Sequence, residues 1–299
     1  QFAVPAFTPV LLNLSMILSS IYLSQYLDEP IMALAWGVLI GGVLQLLFQI
    51  PFLLKINKLP KLTKGDHQSV KTLRKRMIPA LFSVSVSQIN LLIDTMIASV
   101  LVSGSVSWLY YSDRLLELPL ALIGIALATV ALAKLSTHYA NKDTQQFTRT
   151  IDYALKLGLI LGLPACAGLV LLAEPLIITL FQYDAFSVFA AHQSALSLMA
   201  YGSGLMAFIA VKILAPVFLS RGDTKTPVKA GIIAMLSNVV LNVVLGYYYD
   251  HVGLAVATSL SALINASVLY FYLNKQSIFH FSNDLIKMFF KVSLASFIM

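Results

Sequence analysis

Charged side chains are scarce in this sequence: Asp, Glu, Lys and Arg together make up 11% of its 299 residues. An ordinary soluble domain carries about 25%. A cytosolic enzyme, a nucleic-acid-binding domain and a disordered chain all need more charge than this. Cysteine is nearly absent, and the single Cys166 sits in an apolar run, which excludes a disulfide framework and a thiolate metal site. The five histidines (His67, His138, His192, His251 and His280) fall in or beside polar links without metal-ligand spacing. There is no Walker-type phosphate loop, so nothing points to ATP as an energy source. The N-terminus lacks the basic region and small-residue cleavage site of a signal peptide.

What fills the sequence instead is hydrocarbon. Apolar residues make up 59%, the mean hydropathy is +0.84, and runs of twenty or more apolar residues recur along the whole length. Each is long enough to cross a ~30 Å bilayer core as a helix. The reading is an all-α polytopic membrane protein. Eight complete spans are expected at 4–27, 31–54, 77–102, 107–133, 151–173, 191–219, 228–249 and 252–273, with a ninth from 285 onward. Because the sequence opens on Gln1 and ends at Met299 within an apolar run, a longer parent protein is expected.

The polar links alternate in charge. Those after spans 2, 4, 6 and 8 hold Lys134, Lys142, Arg149, Arg221, Lys225, Lys229, Lys275 and the basic stretch 55–76; those after spans 1, 3, 5 and 7 hold Asp28, Glu29, Glu174, Asp184 and Asp250 and no Lys or Arg. By the positive-inside rule the first residue faces the cytoplasm. A weak repeat accompanies this pattern. Ala33-Leu34-Ala35 and Gly253-Leu254-Ala255 each open a span after an acidic turn, and Gln45 and Asn265 fall equally deep in the two spans.

Ionisable groups at membrane depth are costly and therefore candidates for function. Asp94, Asp113, Arg114 and Glu117 lie well inside spans, and Lys212 is near enough to an end to snorkel. Asp113, Arg114 and Glu117 share one side of a helix, with Arg114 about 10 Å below the outer end at 1.5 Å per residue. Two readings stand. Arg114 forms a self-neutralising pair that locks two helices, or it faces a wet cavity and grips an anion, for which the planar guanidinium fork suits phosphate.

A second set spans three helices. Ser83, Ser87, Asn90 and Asp94 step by four, three and four; Asn238 and Asn242 lie four apart; Thr258, Ser261 and Asn265 step by three and four. Polar stripes on apolar helices face protein or water. Asp94, Asn242 and Thr258 each lie roughly 9–12 Å below the outer surface. One carboxylate with neutral oxygens suits Na⁺, and a proton on Asp94 is the other candidate. Alternatively, these residues merely hydrogen-bond helices together.

The run Ser103-Gly-Ser-Val-Ser-Trp-Leu-Tyr-Tyr-Ser-Asp-Arg-Leu-Leu-Glu-Leu-Pro119 resembles a motif of the MurJ (MviN) family of lipid II flippases, in the superfamily that includes MATE exporters. Pro5-Ala-Phe-Thr-Pro-Val-Leu-Leu-Asn13, Ala33-Leu-Ala-Trp-Gly37, Gly41-Gly-Val-Leu-Gln45, Ser83-Val-Ser-Val-Ser-Gln-Ile89, Leu180-Phe-Gln-Tyr183, Val211-Lys-Ile-Leu-Ala-Pro216 and Lys225-Thr-Pro-Val-Lys229 follow the same family in the same order. The resemblance implies a MATE-like two-lobe helical transporter fold, of which this chain holds about nine of fourteen transmembrane helices. Residues 1–54 would be the last two helices of the N-terminal lobe and 55–76 a basic inter-lobe loop. Residues 77–273 would be the six-helix C-terminal lobe and 274–299 the start of the extra C-terminal helices. It implies a transporter rather than an enzyme, located in the bacterial inner membrane and moving lipid II between leaflets by alternating access. Arg114 would contact the substrate pyrophosphate, supported by Asp113 and Glu117. Asp94, Asn238, Asn242 and Thr258 would match a sodium site found in some members, where an acid can stand at the position of Asn242. No cofactor is expected beyond Na⁺ or H⁺ as coupling ion. A monomer is expected, with lipid II in the membrane as partner, the peptidoglycan-synthesis machinery as a further one, and no nucleic acid. The rival readings are a MATE-like Na⁺- or H⁺-coupled exporter of organic cations and a flippase for another undecaprenyl-pyrophosphate-linked glycan. A third is a non-transporting helical scaffold.

Overall fold

A computed structural model describes residues 3–55, 77 and 88–298. It divides into two units, Gln1–Gln68 and Ser69–Met299. Most of the basic stretch 55–76, including Lys58, Lys61, Lys64, Lys71, Arg74, Lys75 and Arg76, lies outside the described residues, as do Ser83 and Ser87.

In the first unit, α1 (Ala3–Tyr22) passes through a short 3₁₀ turn (Leu23–Tyr26) and an Asp28-Glu29-Pro30 bend to α2 (Met32–Lys55). The two helices pack antiparallel. Ser15 Oγ donates to the Gly37 carbonyl at 2.8 Å, and Gln45 Nε2 donates to the Thr8 carbonyl at 2.9 Å. The approach is set by Gly37 and Gly41. A Cβ on Gly37 would sit 3.0 Å from Met16 Cα, and one on Gly41 2.8 Å from Leu12 Cδ1 and 3.1 Å from Leu12 Cα. This is the small-xxx-small packing that membrane helices use, since lipid supplies no hydrophobic drive for association. The remaining faces, including Trp36 and Leu46, are exposed apolar surface suited to acyl chains.

The second unit begins with α3 (Gln88–Val100) and α4 (Ser105–Ala140). Inside α4, Pro119 donates no backbone hydrogen bond, and directly after it Leu120–Ile125 form a π-helical segment. Asp143 then caps α5 (Thr144–Leu171), its carboxylate accepting from Gln146 N at 3.0 Å. A short α6 (Ala173–Phe181) leads to α7 (Val188–Ser203), capped by Ser187 Oγ, which accepts from Ala190 N at 3.1 Å. Helix α8 (Leu205–Ser220) continues from α7 with a 43° bend at Gly204.

Residues Lys225–Lys275 are helical on both sides of a break at Asp250, whose φ is 49°. Were they one rod, Asn238 and Thr258 would stand about 30 Å apart at 1.5 Å per residue. Instead Asn238 Nδ2 donates to Thr258 Oγ1 at 3.3 Å. The chain reverses at Asp250, giving α9 (225–249) and α10 (251–275). Gly253 sits so close under the turn that a Cβ there would lie 2.1 Å from the Leu245 carbonyl oxygen, so only glycine fits. The reversal is pinned to its neighbours by His251. Its Nε2 lies 3.2 Å from the Gln193 carbonyl and its ring 4.8 Å from that of Trp108, which itself meets Phe189 at 5.7 Å.

Helix α8 packs against α4, α5 and the α9–α10 pair. Its fully buried Ile209, Ile213 and Phe218 form the centre of the core, with Leu135, Ile151, Leu198, Leu254, Leu269 and Leu273. Helix α11 (Asn283–Ile298) rests on α5, where Ser282 Oγ donates to Asp152 Oδ1 at 2.8 Å and Lys156 pairs with Asp152 at 2.6 Å.

Among the described residues, five helices are long and apolar enough to cross a membrane, or six when α7 and α8 count as one bent span. The Lys225–Lys275 member of that set is the two-legged α9–α10 hairpin, matching the expected spans 228–249 and 252–273. Three features differ from the sequence reading. Helix α4 runs two turns beyond the expected end at 133, α5 starts seven residues before 151, and α6 occupies what reads as a loop. The polar ends of α4 and α5 project past hydrocarbon where capping and packing sustain them, and hydropathy does not register them; α6 is apolar but, at nine residues, too short to cross a bilayer.

Candidate functional site

Asp94 is carried by α3, Asn238 and Asn242 by α9, and Thr258 by α10, and the fold joins all four. Asn242 Nδ2 donates to Asp94 Oδ1 at 2.5 Å and to Asn238 Oδ1 at 2.9 Å. Asn238 Nδ2 donates to Thr258 Oγ1, whose own hydroxyl is committed to the Leu254 carbonyl at 3.0 Å. Asn90, one turn before Asp94, donates from Nδ2 to Asp94 Oδ2 at 3.1 Å. Each carboxylate oxygen of Asp94 thus receives one amide N–H. Asn238 and Asn242 are fully buried.

The cluster holds surplus acceptors. Asn90 Oδ1 and Asn242 Oδ1 are buried and accept no hydrogen bond. A buried acceptor without a donor costs roughly 1–3 kcal/mol, so a cluster with two of them beside a carboxylate favours a cation or a proton. Ser261 and Asn265, grouped with Thr258 by spacing, behave differently: Ser261 bonds locally to the Thr258 carbonyl, and Asn265 Oδ1 is buried without a partner. The proposed likeness of Gln45 and Asn265 does not extend to their bonding, since Gln45 is a helix-helix staple.

Spacing and composition carry no sign of Tyr201, on α7. It is 9% exposed and within electrostatic reach of both Asp94 and Asp113. A tyrosine in an apolar span reads as ordinary core, and only the bundle shows which carboxylates it adjoins.

On α4, Arg114 Nη1 donates to Glu117 Oε2 at 2.7 Å, and both side chains are about half exposed, at 51% and 53%. The guanidinium also lies 4.8 Å from the centre of the Tyr110 ring. Its carboxylate partner is therefore one turn away on the same helix. Among the described residues this i,i+3 pair ties α4 only to itself and gives no support to a clamp between two helices. Asp113 stands apart, half-buried, and forms no ion pair with Arg114 among the described residues. The side of α4 that grips the bundle is marked by Ser112, whose hydroxyl meets the Ser194 carbonyl of α7 at 2.6 Å. Arg114 and Glu117 point away from that contact. Lys212, on α8, is exposed and lies beside Gly124 in the π-helical segment.

The family model for "Lipid II flippase MurJ" matches residues 1–299. This chain belongs to the MurJ family. The probable lipid II flippase MurJ of Vibrio cholerae is 49% identical over 301 residues, covering 100% of this chain and 57% of that protein. Its counterpart in Haemophilus influenzae is 47% identical, covering 100% and 60%. The chain thus spans less than two thirds of the curated MurJ relatives it matches. A solved lipid II flippase MurJ in an inward closed conformation superposes with a TM-score of 0.81 at 29% identity, covering 98% of this chain and 59% of that one. An outward-facing MATE-family multidrug transporter superposes at 0.58 and 20% identity over 73% of this chain, which shows the shared helical fold. Membership in the MurJ family agrees with the long apolar helices described above.

Proposed function

We propose that this chain supplies the central and C-terminal helices of a flippase that carries lipid II from the inner to the outer leaflet of the bacterial cytoplasmic membrane by alternating access. The observation that carries the reading is Arg114: an arginine far inside a span, half exposed, and held on one side only by Glu117. Its free N–H groups suit the oxygens of a pyrophosphate, which it would grip in a bidentate manner. Glu117 neutralises the guanidinium while no substrate is bound, and a pyrophosphate competes with it for the same donors. Asp113 keeps the surroundings close to neutral.

In this reading residues 1–54 end the N-terminal lobe, 55–76 form the inter-lobe loop, 77–273 form the C-terminal lobe, and 274–299 open the extra helices. The first residue lies on the cytoplasmic side. The protein works as a monomer beside the peptidoglycan-synthesis machinery. The Asp94 cluster holds the coupling ion, Na⁺ or H⁺, through Asp94, Asn238, Asn242 and Thr258; its unpartnered amide oxygens support the assignment. Binding there would neutralise Asp94 and draw α3, α9 and α10 together. The membrane potential adds a drive of about 2.3 kcal/mol per charge per 100 mV.

The test is rescue of cells depleted of their own lipid II flippase by the full-length protein and by its Arg114→Ala variant, with membrane abundance measured by blot. Rescue by wild type and failure of an equally abundant Arg114→Ala is the expected outcome. Rescue by both removes the pyrophosphate role of Arg114, and failure of a well-expressed wild type removes the flippase reading.

A further inference from the structure

Beyond the two clusters within the membrane, the protein carries a basic pocket at the end of the α4–α5 hairpin. Its volume is about 680 Å³, and Lys134, Thr137, His138, Gln146, Arg149 and Tyr153 are among its lining residues. The hairpin creates it directly. Lys134 and His138 lie one turn apart at the end of α4, and Arg149 and Tyr153 one turn apart at the start of α5. Each pair therefore forms a row on its helix, and the turn at 141–143 sets the rows face to face. On α5 the face opposite this row is in the core, with Phe147 and Ile151 at 5% and 1% exposure, and on α4 the fully buried Leu135 lies to one side of its row. The pocket faces away from the bundle.

Its charge is not balanced. Among the described residues, neither Lys134 nor Arg149 forms an ion pair. The acids nearest in sequence are occupied: Asp143 caps α5 through Gln146 N, and Asp152 holds Lys156 and Ser282. Two unpaired cations sharing one concave surface attract an anion, and a guanidinium fork beside a lysine suits a phosphate group. The surroundings indicate which phosphate. Lys134 directly follows the apolar stretch of α4, so the pocket lies at the level where hydrocarbon meets water. Tyr153 in its lining is 61% exposed, as aromatic residues at a membrane interface are. Toward the hydrocarbon side, Val130 on α4 and Ile160 on α5 are open apolar surface along which acyl chains can lie.

We infer that this pocket binds the phosphate headgroup of an anionic membrane phospholipid, with Lys134 and Arg149 holding the phosphate and Tyr153 bordering the acyl region. Basic pockets between helices at the cytoplasmic surface are a recurrent mode of lipid recognition. The site is separate from Arg114 and does not depend on the flippase reading.

The full-length protein in detergent is titrated with phosphatidylglycerol and with phosphatidylcholine, and retained lipids are counted by native mass spectrometry. Phosphatidylglycerol is expected to be retained over phosphatidylcholine, with a roughly tenfold or greater loss of apparent affinity in Lys134→Ala/Arg149→Ala. Lys134→Arg should keep the preference, which distinguishes lost binding from lost folding. Three results overturn the inference: no selectivity between the lipids, equal loss in the control Lys225→Ala/Lys229→Ala, or displacement of the lipid by millimolar glycerol phosphate. The last would make the pocket a site for soluble phosphates.

Discussion

Asn242→Asp puts the geometry of the polar cluster to a quantitative test. In the native cluster Asn242 Nδ2 is the donor to both Asp94 Oδ1 and Asn238 Oδ1. An ionised aspartate at this position donates nothing, so two donor–acceptor contacts become two acceptor–acceptor contacts around a fully buried side chain. Two carboxylate charges about 3 Å apart at an effective dielectric of about 20 repel by roughly 5 kcal/mol. The two lost hydrogen bonds add to this, at about 1–3 kcal/mol for each buried group left unsatisfied. Only a proton or a cation between the carboxylates relieves such a penalty. A bound ion stabilises the fold by about 2.7 kcal/mol at one hundred times its dissociation constant. The assay is thermal unfolding of the purified full-length protein at pH 8, in choline chloride and over a sodium chloride series at constant ionic strength. The variant should melt several degrees below wild type in choline and recover with sodium, with a larger sodium response than wild type. Melting equal to wild type in choline would refute the placement of Asn242 against Asp94. Equal recovery in choline and sodium of the same ionic strength would refute a cation site.

Other outcomes follow from the same structure. Asp94→Asn removes the carboxylate charge of the cluster, so transport by the full-length protein should lose its dependence on sodium and pH; a variant whose rate still follows sodium and pH as wild type does removes Asp94 from coupling. Gly41→Leu forces a side chain against Leu12, where a Cβ alone already lies 2.8 Å from Cδ1. It should destabilise the α1–α2 pair by about 1–3 kcal/mol, read as reduced cross-linking between cysteines placed on the two helices. In the polar link between α8 and α9, partial burial pushes the Asp223 carboxyl up, but bonds from the Thr226 hydroxyl and the Thr226 and Lys225 amides, together with Arg221, bring it below the usual carboxylate range. Its contribution to stability is thus fully present above the ordinary carboxylate value, near 3.9, and is lost as pH falls through the lower folded-state value. Asp223→Asn should lower the melting temperature at pH 7, and the gap to wild type should close at acid pH.

Hydropathy and spacing were enough to place most of the helices, because crossing a hydrocarbon core imposes a minimum apolar length on each segment. They also grouped Asp94, Asn238, Asn242 and Thr258, since helical periodicity puts residues four apart on one face and equal depth brings separate faces to one level. Arg114 stood out for the same reason: a charge inside a span is rare enough to be noticed. Its pairing with Glu117 rather than Asp113 was less legible, as spacings of three and one leave both within reach of a long side chain. Tyr201 was invisible, because nothing local separates a tyrosine that borders two carboxylates from one that fills space.

The basic pocket illustrates the same division. Lys134, His138, Arg149 and Tyr153 are readable as charges and aromatics at a membrane surface, but their union required the turn at 141–143 to set α4 against α5. The reversal at Asp250 is a stronger case. Helical backbone resumes directly after that one residue, and the fold-back it hides needs the space that Gly253 leaves beside Leu245. The polar stripes, their depth, and the residue types able to carry ions or phosphate were readable from the chain alone, because all follow from local period and from the cost of charge in lipid. Which stripes meet emerged only from the folded bundle. Contacts between helices depend on packing of side chains distant in the chain, and no local period encodes them.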